Sequence, residues 1–519
     1  MQKFMIAFSA AAACCLPLFA KIELATPFAD GAVLQRERAI PVWGTAAPGA
    51  KVVVTFADAH VATTAAADGT WRVDLPAMPA SKESRVLRAA ECEAGFLWDT
   101  ETSVAEAKDV LVGEVWIASG QSNMECPIWS WDPHFRDGWG PVTMTSTDKP
   151  FVRLVRSPRG ATVTPRRDFK AKWVKMTPKM YTDFLAEKPL PGPKGYQLPS
   201  AIGYYFALEL ANALDIPVGL VDIDWGGTSI DPWTPPSGYR GHPNLKPENE
   251  WKVVPADQFK PEMRQGVISD GRQQPGILWN GMVAAYAPMA CRGVIWYQGC
   301  HNAKEANRYC EKMEALYEGW TNEFRNASLK FYFSQLAPWG EEEPGFVGLQ
   351  LAQAEFARKT PNAAMVVIND AGNLVDIHPN DKRTVAKRLA LHALRRDYGW
   401  TGVRDNSPTV KSWKVENGAF VLSFNDAEGF YVYNPDMTTD AGFEVCGADG
   451  AWKPAKIRNL VADPDYGERG SVAGKTLVVG SDEVKNPVKL RYLFRRPWFG
   501  AVYSDAALPL GVFEIENKN

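Results

Sequence analysis

The sequence lacks the features that mark several classes of protein. Its 519 residues carry a formal net charge of -3, with an isoelectric point near 6.2, and no stretch concentrates lysine and arginine. The chain therefore lacks the positive charge that is typical of proteins that bind nucleic acid or an anionic membrane surface. Beyond the first 20 residues, no run reaches the roughly 18 consecutive apolar residues that a membrane span requires. We therefore expect neither nucleic acid as a partner nor a membrane span.

Cysteine pairs at metal-binding spacing are also missing. The eight cysteines include no C-x-x-C pair, which argues against a structural zinc site, and we expect no metal and no cofactor. Cys14 and Cys15 lie within residues 1–20, where a lysine followed by an apolar stretch and a final Ala20 is typical of a cleaved secretory signal. We expect an exported protein, periplasmic or extracellular, that begins near Lys21 and whose setting permits disulfides.

Apolar residues make up 46% of the chain and charged residues 23%, the balance of a globular protein. We divide the chain into a signal peptide (1–20), an N-terminal β-sandwich module (21–108), a central α/β domain (109–400) and a C-terminal β-rich domain (401–519). Short strand patterns with Gly, Pro and Asp-Gly turns fill the two outer regions.

The central region alternates short apolar strands with helices. The predicted strands cover about residues 109–119, 217–223, 293–297, 329–333 and 363–368. The predicted helices cover about residues 200–214, 278–289, 304–325, 348–358 and 382–397. This alternation indicates a parallel sheet with helices on both faces. The expected fold class is α/β, a flavodoxin-like domain of three α/β/α layers flanked by β-sandwich modules.

Polar or glycine clusters follow most of the central strands. They are Gly120-Gln121-Ser122-Asn123, Trp225-Gly226-Gly227-Thr228, Gln298-Gly299-Cys300-His301-Asn302, and Asn369-Asp370 with Asp376-Ile377-His378-Pro379. Because the carboxyl ends of parallel strands share one edge of the sheet, we expect these clusters to converge there. Ser122, directly after the first strand, is the candidate nucleophile.

A serine hydroxyl needs an imidazole base within hydrogen-bond reach and a carboxylate that holds the imidazole. His378 has the best setting, with Asp376 two residues before it and Pro379 fixing the backbone just before a predicted helix. The other five histidines lie in a helix, in the N-terminal module, in long loops or just after a strand: His60, His134, His242, His301 and His392.

The oxyanion of a tetrahedral intermediate needs two or three preset hydrogen-bond donors. The candidates are the N–H of Ser122, the N–H of Gly227 or Gly226, and the side-chain amide of Asn302. Paired glycines let backbone N–H groups approach a ligand with no side chain in the way.

Together these clusters resemble the sialate O-acetylesterase family, carbohydrate acetylesterases of the SGNH hydrolase superfamily. The matching stretches are Gly113-Glu114-Val115-Trp116, Gly120-Gln121-Ser122-Asn123-Met124, Ser200-Ala201-Ile202-Gly203-Tyr204, Pro217-Val218-Gly219-Leu220, Trp225-Gly226-Gly227-Thr228, Gly293-Val294-Ile295-Trp296-Tyr297-Gln298-Gly299, Ile377-His378-Pro379 and, in the N-terminal module, Val33-Leu34-Gln35-Arg36 and Val42-Trp43-Gly44. The resemblance implies an SGNH hydrolase domain and a serine esterase that removes acetyl groups from carbohydrates. Sialic acid O-acetyl esters are the favoured substrate, and acetylated xylan or another plant glycan is the alternative.

By this resemblance Ser122 is the nucleophile and His378 the base, and Ser122, Gly227 and Asn302 donate to the oxyanion. The acid departs from the pattern: related hydrolases often place an aspartate three residues before the histidine, which here is Val375. We prefer Asp376, with Asp370 as the alternative.

A second departure is Cys300, which stands where the family usually has a glutamate. It predicts reduced activity or an altered substrate preference, and its thiol has Cys291 and Cys310 nearby in sequence as candidates for a disulfide.

Two other interpretations remain open from the sequence. The altered third cluster fits a carbohydrate-binding surface protein whose esterase site has decayed, whereas a lipase is disfavoured because no Gly-x-Ser-x-Gly elbow surrounds Ser122. Four aromatic residues near the clusters stack on sugar faces or belong to the core: Trp225, Trp233, Trp296 and Tyr297. Composition does not indicate an oligomeric state.

Overall fold

The computed structural model describes residues 21–92, 101–130, 135–167, 169–186, 198–245, 272–339, 344–373, 375–433, 441–463, 469–494 and 501–517. The predicted signal peptide and His134 lie outside these residues. None of the helices in the described part of the chain combines the length and the apolar character needed to cross a membrane.

The N-terminal region is made of short strands. They are β1 (Glu23–Leu24), β2 (Val33–Gln35), β3 (Ile40–Thr45), β4 (Lys51–Phe56), β5 (Ala59–Thr64), β6 (Thr70–Leu75), β7 (Ser81–Cys92) and the long β8 (Glu101–Gly120). Strands β1, β3 and β6 form a small antiparallel sheet, while β5, β4, β7 and β8 are successive antiparallel neighbours in a larger one. The larger sheet continues through β8 into the centre of the molecule.

The central region contains the helices α1 (Ser122–Glu125), α2 (Gly140–Ser146), α3 (Pro178–Ala186), α4 (Ala201–Leu214), α5 (Ala306–Glu323), α6 (Pro344–Lys359) and α7 (Lys382–Asp397). Its strands are β9 (Lys149–Arg156), β10 (Val174–Met176), β11 (Val218–Asp224), β12 (Gly293–Tyr297), β13 (Lys330–Ser334) and β14 (Ala363–Val366). Short 3₁₀ segments cover Asp231–Trp233, Pro236–Gly241, Pro243–Leu245 and Cys300–Glu305.

Six strands of the central sheet run parallel, in the order β9-β11-β8-β12-β13-β14, with β10 antiparallel at the edge. The chain leaves β8 toward β9 and later crosses to β12 on the other side of β8. The direction of winding therefore changes between β8 and β12, and ligands of open α/β sheets bind in the crevice at such a point. Gly120 and Tyr297, the last residues of these two strands, are paired neighbours.

Helices α4 and α7 pack together, as do α5 and α6, and both pairs contact the sheet. This is the α/β/α arrangement expected from the sequence, and the predicted fold class is confirmed. The predicted helix over 278–289 is different: a single π-helical turn at Trp279–Val283 is followed by turns. Gly281 lies so close to Gly160 that a Cβ there would stand 2.1 Å from the Gly160 carbonyl oxygen, so the packing of a neighbouring loop shapes this segment.

The C-terminal strands are β15 (Thr409–Glu416), β16 (Ala419–Asn425), β17 (Gly429–Tyr433), β18 (Phe443–Cys446), β19 (Trp452–Ile457), β20 (Val461–Ala462), β21 (Arg469–Ala473), β22 (Thr476–Gly480), β23 (Lys489–Tyr492), β24 (Val502–Ser504) and β25 (Phe513–Glu516). They form a seven-stranded and a four-stranded sheet. Their buried side chains, from Phe420 to Ile515, make a core separate from the one that runs without interruption from Ile22 to Leu394.

Candidate active site

Ser122 lies two residues after the end of β8 and is the first residue of α1. The chain turns sharply at Gly120, which has a φ of +144° and lies so close to β12 that a Cβ would stand 2.2 Å from the Tyr297 carbonyl oxygen. Only glycine fits this backbone and this approach. The turn places Ser122 at the wall of a cavity of about 600 Å³ at the carboxyl edge of the sheet.

His378 lies across the same cavity from the loop before α7. Its Nε2 is 2.9 Å from the Ser122 Oγ, a normal hydrogen-bond distance, although the two residues are 256 positions apart in the sequence. The ring of Phe135 meets the imidazole edge to face, with the centroids 5.1 Å apart. The structure therefore brings together the predicted nucleophile and the predicted base.

Asp376 is the carboxylate that the structure places beside the imidazole. Its Oδ1 accepts a hydrogen bond from the His378 backbone N–H at 2.8 Å and lies 3.6 Å from the ring Nδ1, which is longer than a hydrogen bond. Val375, the residue three before the histidine, has 93% of its surface exposed. Asp370 is bound elsewhere, because both of its oxygens accept hydrogen bonds from Arg388 at 2.7 Å.

The two glycines of the second cluster differ in what their N–H groups do. Gly226 donates its N–H to the Glu125 carboxylate at 2.7 Å. Gly227, with a φ of +69°, lines the cavity, and among the described residues neither its N–H nor that of Ser122 has a protein acceptor. Of the two glycines, Gly227 is therefore the one whose N–H is not already donated to a described side chain.

Asn302 is placed apart from the other predicted donors. Its side chain is fully buried and does not line the cavity. The amide nitrogen donates to Glu305 at 2.5 Å, while the amide oxygen accepts hydrogen bonds from the Ile230 N–H and the Gln298 Nε2. The Asn302 amide nitrogen, which the resemblance assigns to the oxyanion, is therefore already donated to Glu305.

Glu125, which sequence reasoning missed, sits three residues after Ser122 with 2% of its side chain exposed. It forms an ion pair with Arg159 and holds the Gly226 N–H, so it connects α1 to the glycine pair. An acidic residue in a first helical turn ordinarily signals only favourable interaction with the helix dipole. No sequence pattern around Glu125 therefore predicts a buried structural role.

Asn123 joins the serine helix to the histidine loop. Its amide nitrogen donates to the Ile377 carbonyl at 3.0 Å, and its amide oxygen accepts a hydrogen bond from the Lys382 Nζ at 2.6 Å. Lys382 is the first residue of α7 and is 1% exposed, and burial lowers the pKa of its ammonium group. Asn123, the neighbour of Ser122, is thus connected both to Ile377, the neighbour of His378, and to the start of α7.

Cys300 forms part of the cavity wall, where burial raises the pKa of its thiol to about 12, so the thiol is protonated at neutral pH. All six cysteines of the described chain are free, so the predicted candidate pairing of Cys300 with Cys291 or Cys310 does not occur. Among the four aromatic candidates only Trp225 lines the cavity. The other three are buried: Trp233, Trp296 and Tyr297.

Over the described ranges, no cluster of three or more His, Cys, Asp or Glu side chains could hold a metal ion. The cavity wall presents a serine in contact with an imidazole and two backbone donors, and the Asp376 carboxylate lies beside the imidazole. This is the set of groups that acyl transfer through a serine requires.

Comparison with known proteins bears directly on this arrangement. The sequence model of the family described as carbohydrate esterase, sialic acid-specific acetylesterase, matches residues 112–395, which is more than half of the chain. The chain belongs to this family. The sialic acid-specific acetylesterase family therefore defines the enzyme class, and the protein is a carbohydrate O-acetylesterase.

Individual relatives support this membership, and their similarity extends beyond residues 112–395. The sialate O-acetylesterases of Rattus norvegicus and Mus musculus are 27% and 28% identical, over 82% of this chain and 83% of each relative. A solved carbohydrate acetylesterase from Xanthomonas citri is 29% identical with a TM-score of 0.76, and the match covers 96% of this chain and all of that one. The similarity to this acetylesterase thus extends over the flanking β regions as well.

Proposed function

We propose that the protein hydrolyses O-acetyl esters of carbohydrates through an acyl-enzyme on Ser122. The observation that carries this proposal is the 2.9 Å contact between the Ser122 Oγ and the His378 Nε2 inside a cavity at the carboxyl edge of the sheet. A serine in contact with an imidazole can lose its proton as it attacks, which is what makes a weak nucleophile reactive.

In the first half of the reaction, the Ser122 Oγ attacks the acetyl carbonyl carbon while the His378 Nε2 accepts the hydroxyl proton. The negative charge on the carbonyl oxygen is stabilised by the N–H groups of Ser122 and Gly227. The imidazolium then donates its proton to the sugar oxygen, the ester C–O bond breaks, and an acetyl-serine remains. Asp376 orients the imidazole and stabilises its charged form.

In the second half, His378 accepts a proton from water as the water attacks the acetyl-serine. A second oxyanion forms in the same position. As it collapses, the bond between the acetyl carbon and the Ser122 Oγ breaks and the His378 imidazolium returns its proton to that oxygen. Acetic acid leaves the site and ionises to acetate in solution. Asn302 enters this scheme as a third donor only if its contact with Glu305 breaks. The present geometry supports two backbone donors.

Sialic acid O-acetyl esters are the proposed substrate, because mammalian relatives are named sialate O-acetylesterases. Acetylated xylan or another plant glycan is the alternative. Acetate release from O-acetylated sialic acids and from acetylated xylo-oligosaccharides distinguishes the two. Release from the xylo-oligosaccharides alone would contradict the sialic acid assignment.

A simple experiment separates an active esterase from a carbohydrate-binding protein with a decayed site. The wild type and Ser122→Ala are compared on 4-nitrophenyl acetate, with folding checked by circular dichroism. We expect the variant to lose at least about 10³-fold in turnover, since removal of a triad nucleophile has effects of this size. Equal turnover by both proteins would contradict the esterase proposal.

We also propose that the chain is exported and that its regions follow in the order signal peptide (1–20), N-terminal β module (21–108), catalytic domain (109–400) and C-terminal β domain (401–519), with β8 crossing the boundary between the second and the third. Amino-terminal sequencing of the protein from its native cells tests the first of these. A mature terminus near Lys21 is expected, and a retained Met1 would contradict export by this signal.

A further inference from the structure

Two arginines stand on the wall of the cavity that contains Ser122 and His378. Arg159 and Arg272 flank the ring of Trp225, with their guanidinium carbons 5.5 Å and 5.9 Å from its centroid. Arginines are expensive to place in a partly enclosed site unless their charge is matched. The presence or absence of a carboxylate partner therefore indicates the role of each arginine.

Arg159 is neutralised within the protein, because it forms an ion pair with the buried Glu125. Arg272 has no such partner: among the described residues no carboxylate lies within ion-pair distance of it, and its buried Nε has no hydrogen-bond acceptor. Arg272 thus gives the cavity a positive charge that the surrounding described residues do not balance.

Arg272 is held close to the reacting groups. The next residue, Gln273, donates from its Nε2 to the Gly227 carbonyl at 2.7 Å and accepts from the Ser229 N–H at 2.8 Å. The Arg272 Nη2 lies only 3.1 Å from where a Cβ on Gly227 would stand, so the guanidinium packs against the glycine that we assign to the oxyanion. The same charge adds to burial in lowering the pKa of His301, another residue of the cavity wall.

We propose that Arg272 binds a carboxylate carried by the acetylated sugar, so that the enzyme is selective for esters of acidic sugars. This inference rests on the proposed esterase function and adds a specificity-determining residue to it. A guanidinium presents several N–H donors in a planar fork that matches a carboxylate, and charge-assisted bonds of this kind are among the strongest in proteins. Sialic and uronic acids both carry such a group.

The test compares substrates that differ only in this charge. Acetate release is measured from an O-acetylated sialic acid and from the same sugar with its carboxylate converted to a methyl ester, and likewise for an O-acetylated glucuronic acid. We expect the wild type to prefer a free acid by roughly tenfold to hundredfold in kcat/KM, the size of a charged hydrogen bond. Arg272→Gln removes this preference, mainly through KM, and Arg272→Lys retains part of it.

Arg308→Gln is the matched control, because the Arg308 guanidinium donates to the Asn244 carbonyl on the surface, away from the cavity wall. This variant keeps the preference for the free acid. A wild type that hydrolyses acid and methyl ester equally, or an Arg272→Gln variant that still prefers the acid, would overturn the proposal.

Binding separates this inference from the esterase proposal. Calorimetry with free N-acetylneuraminic acid and with glucuronic acid needs no turnover, so it reports on Arg272 even if Ser122→Ala contradicts the proposed acyl-enzyme on Ser122. Binding of either acid by the wild type, lost in Arg272→Gln, supports the assignment and identifies the sugar. Binding of neither acid, or equal binding by both proteins, contradicts it.

Discussion

At the level of single residues, the contact between Ser122 and His378 depends on Gly120. Ser122 reaches His378 because Gly120 lets β8 turn against β12 with no side chain between them. The glycine and the serine were recognisable in the sequence. The contact partner of the serine is predictable only through the small number of histidines and the family resemblance, since no local pattern encodes a contact across 256 residues.

Gly120→Ala should damage both stability and activity. Its Cβ would stand 2.2 Å from the Tyr297 carbonyl oxygen, so the strands must separate and Ser122 must shift. We expect a loss of about 1–3 kcal/mol in the free energy of unfolding, the usual range for overpacking, together with a large loss in kcat. Gly49→Ala is the control: Gly49 also has a positive φ, yet nothing lies within 4 Å of its added Cβ. Similar kcat losses in both variants would contradict this account.

The identity of the orienting acid gives a second prediction. Asp376→Asn should lower kcat by roughly 10²–10⁴-fold, as in other serine triads, because the imidazole loses the charge that stabilises its protonated form. Asp370→Asn should mainly lower stability, because it breaks the paired hydrogen bonds with Arg388. Steady-state kinetics and denaturant unfolding of both variants test this. Loss of kcat in Asp370→Asn alone would reverse the assignment.

At the level of secondary structure, apolar periodicity and capping residues predict α4 and α7. Ser200 caps α4 by accepting the Gly203 N–H at 3.1 Å, and α7 begins and ends within the predicted range. The helix predicted over 278–289 is wrong, because contact with the loop around Gly160 overrides the helical pattern of this segment. The direction of the Asn302 side chain was equally hidden, since Glu305 and Gln298 compete for it only in the folded chain.

The link between α1 and α7 should control catalysis without touching the substrate. Asn123→Ala removes the hydrogen bonds to Ile377 and Lys382 that align the serine helix with the histidine loop. We expect kcat to fall by about tenfold or more with little change in KM, since small displacements of reacting groups have effects of this order. Kinetics on 4-nitrophenyl acetate provide the measurement.

Lys382→Met should give the same selective loss of kcat with its apolar length preserved, while Lys387→Met, on an exposed face of α7, should have no effect. Should KM rise and kcat remain constant in Asn123→Ala and Lys382→Met, the alignment role would be excluded.

At the scale of the whole molecule, β8 runs from the N-terminal sheet into the central one, and one continuous core spans both regions. The predicted boundary at 108/109 falls inside this strand. Composition and turn signals could not reveal this, because a strand pattern looks the same on either side of such a boundary. Two of the stretches that carry the resemblance, around Gln35 and Glu114, belong to this junction.

Glu114 is the centre of the junction. It is fully buried and accepts hydrogen bonds from Gln35 at 3.0 Å and from Arg292 at 2.9 Å and 2.8 Å, with Arg36 at 2.5 Å. Burial acts to raise the pKa of Glu114, but the Arg292 and Arg36 contacts outweigh it, and the pKa lies below its ordinary value.

Glu114→Gln leaves two guanidinium groups without their anion and should lower the free energy of unfolding by about 3–5 kcal/mol. Because the folded pKa is depressed, the stability that Glu114 contributes is present above the unfolded pKa and is lost as the pH falls through the folded one. Urea unfolding from pH 7 to pH 3 should therefore show the difference between wild type and variant shrinking in acid. Exposed Glu23→Gln is the control, and a pH-independent difference would contradict the assignment.

The central claim is that Ser122 is the nucleophile activated by His378. It is tested most directly by reacting the protein with a fluorophosphonate, which labels activated serines covalently, and mapping the adduct by peptide mass spectrometry. The account predicts one adduct, on the peptide containing Ser122, formed in the wild type and strongly slowed in His378→Ala. An adduct on a different serine, or labelling of Ser122 at an equal rate without His378, would contradict it.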